Sequence, residues 1–169
     1  MGTQCYIAKQ IGDDKYRTIY CHFDGYPEHC GAILLDAYNT PEKLDELLSL
    51  GDISYLGPQL SPESGKSYDP KDVTVAYARD LGEKKVEAKD MTLDQLQDCD
   101  FEIQFVYIFD SDGVWKFFDV DHSYGAPKSV KEALEEEFPD AVANATDGYH
   151  KAIVNYICQQ DQSSPNLSM

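Results

Sequence analysis

The fold is decided by residues 3–23, which read TQCYIAKQIGDDKYRTIYCHF. Two sets of side chains alternate from Thr3 to Ile11, and this two-residue period is typical of a β-strand. Gly12-Asp13-Asp14 has the chemistry of a turn, and residues 16–23 form a second run rich in β-branched and aromatic side chains. The chain is therefore predicted to begin with a β-hairpin.

A second hairpin is predicted in the other half of the chain. Phe101–Phe109 is nearly continuous in strand-forming residues, residues 110–113 read DSDG, and Val114–Val120 returns as a strand. Both predicted strands are apolar on both faces. This pattern predicts that the hairpin lies centrally in a sheet that helices cover.

Helical periodicity fills much of the remaining sequence. Helices are predicted from about Glu28, from Pro41 with Thr40 as N-cap, from Thr92, from Ser129 and from about Asp147. A further strand is predicted at Val73–Ala78. The order predicts an α+β fold, with an antiparallel sheet of about five strands built from two hairpins and helices packed on it.

The domain organisation is predicted from composition. Residues 57–72 are rich in glycine, proline and serine, and they mark a boundary between two lobes that are each small for an independent domain. We therefore predict a single α+β domain over residues 1–160. Residues 161–169 are polar without periodicity and are predicted to form a flexible tail.

The charge balance excludes several classes of function. Of 169 residues, 31 are acidic and 14 basic, giving a net charge of −17 that disfavours direct binding to nucleic acid or to an anionic membrane. No run approaches the about 20 apolar residues of a membrane span, and no signal peptide is recognisable. Five cysteines without CxxC spacing indicate a reducing cytoplasm.

Residues 21–30, CHFDGYPEHC, are the densest cluster of reactive side chains. A zinc site is disfavoured, because Cys21 and His22 are adjacent on a strand and point to opposite faces, while Cys30 starts an apolar helical stripe. Catalysis by a cysteine with His22 or His29 is also disfavoured, because the members of such a triad normally come from separate segments. A structural role is favoured, with Asp24 capping the turn or the following helix.

The same junction supplies an alternative hypothesis, which is a site for a small molecule or nucleotide, or for hydrolysis. Its residues would be Tyr20, His22, Asp24, Tyr26 and His29. Alternatively, the cysteines and histidines could make a metal-stabilised interaction module.

Motifs for ordinary enzyme chemistry are not present in the sequence. Residues 110–113 differ from a calcium loop, because the glycine comes fourth and no glutamate occupies the twelfth position. Asp119, Asp121 and His122 are only a weak metal signal. Without a phosphate-binding glycine loop, a nucleophile elbow or a zinc-protease helix, the sequence favours a non-enzymatic protein without a cofactor.

The strongest remaining pattern is acidic. Between Asp90 and Asp121 a single base, Lys116, accompanies nine acids, which are Asp90, Asp94, Asp98, Asp100, Glu102, Asp110, Asp112, Asp119 and Asp121. Glu135–Glu137 and Asp140 add a second cluster. These acids either serve solubility or imitate the phosphates of nucleic acid and bind a basic surface on a partner protein.

Several stretches resemble a family of small proteins from phages, prophages and gut bacteria that share an MGT start and a YCHxDGYP-like motif. The similarity covers Met1–Thr3, Ile19–Pro27, Thr40–Lys43, Leu50–Ser54 and Leu56-Gly57. It implies an accessory protein of a mobile element in the cytoplasm of a bacterial host. With the charge, this implies an anti-CRISPR or anti-restriction inhibitor that binds a basic nucleic-acid-binding host protein through the nine acids.

Overall fold

The computed structural model describes residues 2–67, 69–98, 102–120, 127–143, 145 and 148–162. The strands are β1 (Gln4–Gly12), β2 (Lys15–Phe23), β3 (Ile53–Tyr55), β4 (Val75–Ala76), β5 (Lys89–Met91), β6 (Ile103–Phe109), β7 (Trp115–Asp119) and β8 (Lys128–Ser129). The helices are α1 (Ala32–Ala37), α2 (Pro41–Ser49), α3 (Tyr77–Leu81), α4 (Leu93–Gln97), α5 (Val130–Glu137), α6 (Pro139–Ala143) and α7 (Tyr149–Gln162). A π-helical turn, Pro27–Gly31, leads directly into α1, and Pro70–Asp72 is a 3-10 turn.

The strands form one mixed sheet, in the order β4-β3-β2-β1-β6-β7-β8, with β5 also pairing with β2. Both predicted hairpins are present as antiparallel pairs, β1 with β2 and β6 with β7. The α+β class is confirmed, whereas the prediction of about five antiparallel strands is wrong. In the described residues the sheet has eight strands, and the β1–β6 and β2–β3 pairs are parallel.

The parallel pairs follow from the connections between strands. After β2 the chain crosses over one face through α1 and α2, and it returns as β3 in the same direction as β2. The same face also carries α5 and α7. Because β2 and β3 run in the same direction, their carboxyl ends lie side by side at one end of the sheet.

Each face of the sheet has its own core. On the face with α1, α2, α5 and α7, the inward side chains include Ile7, Ile19, Tyr107 and Trp115, all at most 2% exposed. On the opposite face, Ala8, Val106 and Phe118 pack with α4 and β5. Alternation along the strands assigns neighbouring residues to different cores, as the sequence pattern predicts.

Most predicted helix ends are present. Thr40, Thr92 and Ser129 each accept a hydrogen bond from a backbone N–H in the first turn of the helix that follows, and Thr92 forms a complete capping box with Gln95. The prediction of a strand through Ala78 is wrong, since β4 ends at Ala76 and α3 follows. None of the described helices has the length and apolar character needed to cross a membrane.

Candidate functional site

The five junction residues predicted to line a ligand site do not lie together. Side chains of Tyr20 and His22 are on the face that carries α4, because they alternate with Cys21, which is buried in the other core. Asp24 and His29 line a cleft on the helical face, and Tyr26 contacts His29 from an adjoining groove. The structure thus divides the predicted site between the two sides of the sheet.

The Tyr20–His22 pair on the α4 face is internally satisfied. Burial raises the pKa of Tyr20 well above its usual range, so the hydroxyl stays protonated, and it shares a hydrogen bond of 2.5 Å with Nδ1 of His22. The backbone N–H of Tyr20 donates to Asp52. These contacts fix the strand and account for both side chains without a ligand.

The cleft has a volume of about 760 Å³ and lies at the carboxyl ends of the parallel strands β2 and β3. Its lining includes Asp24 after β2, Tyr55 at the end of β3, and His150 near the start of α7. Crevices outside the carboxyl ends of parallel strands are frequent binding sites in open sheets that contain such strands. The position of the cleft therefore makes it a candidate functional site.

Unusual backbone conformations shape the cleft. Asp24 has a φ of 57°, in the left-handed region that few residues other than glycine adopt. The next residues enter a π-helical turn instead of a regular α-helix, and this turn carries His29. Strained residues and π-helical turns are both enriched at functional sites, because selection must maintain them against their cost.

A pair of imidazoles forms one wall of the cleft. The carbonyl of Leu56 can only accept, so Nε2 of His29 donates to it across 3.1 Å. Since the hydrogen of His29 is on Nε2, its Nδ1 accepts from Nε2 of His150 across 3.2 Å. Burial, followed by the neighbouring His29, lowers the pKa of His150 to about 4. The remaining lone pair of this relay is on Nδ1 of His150.

Asp36 of α1 holds His150 in place. Its carboxylate accepts from the backbone N–H groups of Tyr149 and His150, each at 2.9 Å, at the start of α7. Gly148 precedes them with a φ of 106°, and a Cβ there would lie 2.7 Å from the carboxylate of Asp36. The helix start and the histidine pair are thus fixed by residues distant in sequence.

The low pKa of His150 predicts a pH dependence of stability. As the pH falls below the ordinary value near 6.5, the unfolded chain binds the proton before the folded protein does, so stability falls until about pH 4. We expect His150 to account for about 1–2 kcal/mol of lost stability between pH 7 and pH 5, less than full linkage because the ring is partly hydrated.

Urea unfolding of the wild type and of His150→Gln, each at pH 7 and pH 5, measures this contribution. The glutamine variant should lose less stability over this interval, because its amide does not titrate, while the carboxylates are common to both proteins. Equal losses in the two proteins would refute the assignment to His150.

Two residues of the cleft, His150 and Tyr55, were not predicted from the sequence. Burial raises the pKa of Tyr55 to about 12, and the nearby carboxylates of Asp24 and Asp72 contribute. Its hydroxyl donates to the carbonyl of Lys71 across 2.7 Å, and its ring lies 5.2 Å from that of His29. Neither Tyr55 nor His150 stands in a recognisable motif, so only the fold reveals their proximity to Asp24.

The nine predicted partner-binding acids are distributed over several places. Asp90 of β5 pairs with Arg17 at 3.2 Å and with Lys15 at 3.7 Å. On the α4 face, Asp94 and Asp98 line a further cavity. These acids lie across the sheet from the cleft.

The remaining described acids of this set occupy other sites. Asp110 pairs with Lys116 at 2.9 Å and accepts from two N–H groups of the β6–β7 turn, which lowers its pKa although burial opposes this. Asp112 is in the same turn and Glu102 is exposed just before β6. Asp100 and Asp121 lie outside the described residues.

Asp119 belongs to a separate concavity, which we call the acidic groove. It lies between α5 and the π-helical turn, with an aromatic floor and a rim of carboxylates. Its lining includes Tyr26, Glu28, Phe105, Phe117, Asp119, Lys128, Glu132, Glu136 and Glu137. Burial and then the nearby Glu28 raise the pKa of Glu137, so two carboxylates from different elements approach each other here.

Two thiols of the junction, Cys21 and Cys30, meet Cys5 of β1 in the core. Cys5 lies opposite Cys21 in the β1–β2 register, and Sγ of Cys5 is 3.7 Å from Sγ of Cys30. All three are fully buried, and burial raises the pKa of Cys5 and Cys30. Within the described ranges, no group of three or more histidine, cysteine or acidic side chains is arranged to hold a metal ion.

Comparison with known proteins returned no relative. No protein-family profile, no curated protein and no solved structure matches the chain.

Proposed function

We propose that the protein inhibits a bacterial defence nuclease, of the CRISPR or restriction type, by occupying its nucleic-acid-binding surface. The observation that carries this proposal is the acidic groove. Five carboxylates line it, from Glu28, Asp119, Glu132, Glu136 and Glu137, and Lys128 is the only basic side chain among the described lining residues.

The physical argument is that these carboxylates repel one another in the free protein. Glu28 and Glu137 are held near each other on separate elements, at a cost that a cationic partner would offset. A basic surface that normally binds phosphates has the complementary charge, and electrostatic steering would make association fast and sensitive to salt. The aromatic floor, with Phe105 and Phe117, offers apolar contact area beneath the charges.

The proposal uses the groove as the contact surface, with Asp119 as its member from the nine acids identified in the sequence. Asp110 and Asp90 are already engaged by cations of the protein itself. Asp94 and Asp98 lie on the other side of the sheet. A partner that grips the groove would therefore leave the α4 face free.

The test is inhibition of DNA cleavage by purified CRISPR effectors and restriction nucleases, with a variant in which Glu132, Glu136 and Glu137 are all glutamine. Since charge pairs carry the binding, we expect at least about a tenfold increase in the concentration needed for half inhibition. The affinity of the wild type for the inhibited nuclease should fall by about tenfold as salt rises from 50 to 200 mM, because salt screens the attraction between charges.

A matched control changes Asp13, Asp94 and Asp98 to asparagine, which removes the same charge away from the groove. This variant should inhibit within about twofold of the wild type. Equal inhibition by the glutamine variant, or inhibition that salt does not weaken, would contradict the groove as a phosphate mimic. Failure to inhibit any nuclease of either type would contradict the proposed target.

The second candidate function is small-molecule binding or hydrolysis at the junction, and the cleft is the observation that favours it. Asp24 and His29, from the predicted set, line the cleft together with His150. Binding is favoured over hydrolysis, because an imidazole with a pKa of about 4 is a weak general base at neutral pH.

A further inference from the structure

The walls of the cleft carry aromatic rings. The ring of His29, from the π-helical turn, lies 5.2 Å from that of Tyr55 of β3, and both residues line the cleft. The face of a tyrosine ring is negative and attracts a cation within about 6 Å. The rings alone would accept any flat apolar ligand, so the polar groups decide the class.

The polar groups of the cleft are mostly acceptors. Nδ1 of His150 has its lone pair available, since Nε2 is occupied by His29. The hydroxyl of Tyr55 already donates its hydrogen to the carbonyl of Lys71, so towards a ligand it can only accept. The carboxylates of Asp24 and Asp72 are also acceptors. Both lie close enough to the hydroxyl of Tyr55 to raise its pKa, although burial is the larger cause.

The charge of the described lining is negative. Asp24, Asp36, Asp69 and Asp72 oppose Lys71 and Lys151. Two of these carboxylates have a structural role. Asp36 accepts from backbone N–H groups at the start of α7, and Asp69 accepts from the backbone N–H of Lys71. Asp24 and Asp72 are the two that a ligand can engage without undoing a helix or a turn.

We propose that the cleft binds a guanidinium or primary ammonium group, which places its N–H donors on Asp24, Asp72 and His150 and its charge against the ring of Tyr55. This inference rests on the second candidate function, for which it names the ligand class, and is independent of the inhibitor proposal. The cation comes either from a small molecule or from an arginine of a partner protein, and the chemistry is the same.

The experiment is a titration of the ¹⁵N-labelled full chain by NMR with argininamide and, as the control of similar shape, citrullinamide, both acetylated on the α-amino group so that the citrulline compound is uncharged. Argininamide should shift the amides of Tyr55 and His150 at about millimolar concentration, whereas citrullinamide should bind at least about tenfold more weakly. Equal binding of the two ligands would overturn the assignment to a cation.

The matching protein variant is Asp24→Asn with Asp72→Asn. Asparagine tolerates the left-handed backbone of Asp24, so the fold should be retained. We expect at least about a tenfold loss of argininamide affinity. The charge control is Asp13→Asn with Asp112→Asn, since both turns lie at the opposite end of the sheet from the cleft. Equal weakening in both variants would refute the assignment to the cleft.

Further probes separate the source of the cation from failure of the site. A capped Gly-Arg-Gly peptide that binds at least as tightly as argininamide supports a partner's side chain, and a peptide that is excluded supports a small molecule. Binding of inorganic phosphate in place of the cation would overturn the ligand class while retaining a binding site. If no probe shifts any residue of the cleft, the inference and the second candidate function both fail.

Discussion

Replacing Trp115 by alanine is expected to lower the free energy of unfolding by about 4 kcal/mol, the largest effect of any single change considered for this protein. The indole is 2% exposed in the helical core, with its ring 5.2 Å from that of Phe109. Its Nε1 donates to the carbonyl of Tyr38 across 3.0 Å. Alanine would leave both a cavity and an unpaired buried carbonyl.

Urea unfolding followed by circular dichroism measures this loss. The matched variant Trp115→Phe retains an aromatic ring but lacks the donor, so it should lose about 2 kcal/mol. A loss below about 1 kcal/mol in the alanine variant would show that the core repacks around the site. Because the hydroxyl of Tyr38 donates to the carbonyl of Gly57, the alanine variant should also shift the NMR signals of the loop beside the cleft.

Replacing Gly25 by alanine is expected to lower the free energy of unfolding by about 3 kcal/mol. The residue is enclosed by atoms that cannot move aside without disturbing their own hydrogen bonds and packing. An added Cβ would lie 2.8 Å from the carbonyl oxygen of Thr3 and 2.9 Å from Sγ of Cys5. Gly25 also donates to Thr3 across 2.8 Å and accepts from the hydroxyl of Tyr107 across 2.6 Å. Relief of the clash would therefore stretch hydrogen bonds that anchor the junction.

The same chemical change at Gly12 is the control, measured by urea unfolding beside Gly25→Ala. A Cβ at Gly12 would meet only Cβ of Lys15, at 3.3 Å, at an exposed hairpin end. We expect this variant to remain within about 0.5 kcal/mol of the wild type. Similar losses at the two glycines would contradict enclosure as the cause of the loss at Gly25.

Local patterns were sufficient to predict the hairpins and most helix starts, because each depends on residues within one turn or one strand pair. The parallel pairing of β1 with β6 and of β2 with β3 was not predicted, because the local pattern of a strand does not indicate which other strand lies beside it in the sheet. Short strands were missed for a related reason. Lys89–Met91 has no apolar alternation and is a strand because it pairs with β2.

The candidate site shows the same division. The density of reactive residues in the junction drew attention to Asp24 and His29, and both line the cleft. His150 could not be associated with them, because it approaches His29 from 121 positions away. Strand alternation predicted that Cys21 and His22 face opposite ways, and the same rule places Tyr20 beside His22 on the far side.

The position of β1 has a consequence for the order of folding. β1 lies between β2, which follows it immediately, and β6, whose paired residues are about a hundred positions later in the chain. During synthesis the first hairpin can form early, but the backbone groups on its other edge stay unpaired until Ile103–Phe109 emerges. We expect fragments that stop before β6 to aggregate through that edge, and folding of the whole chain to be limited by the arrival of this late strand.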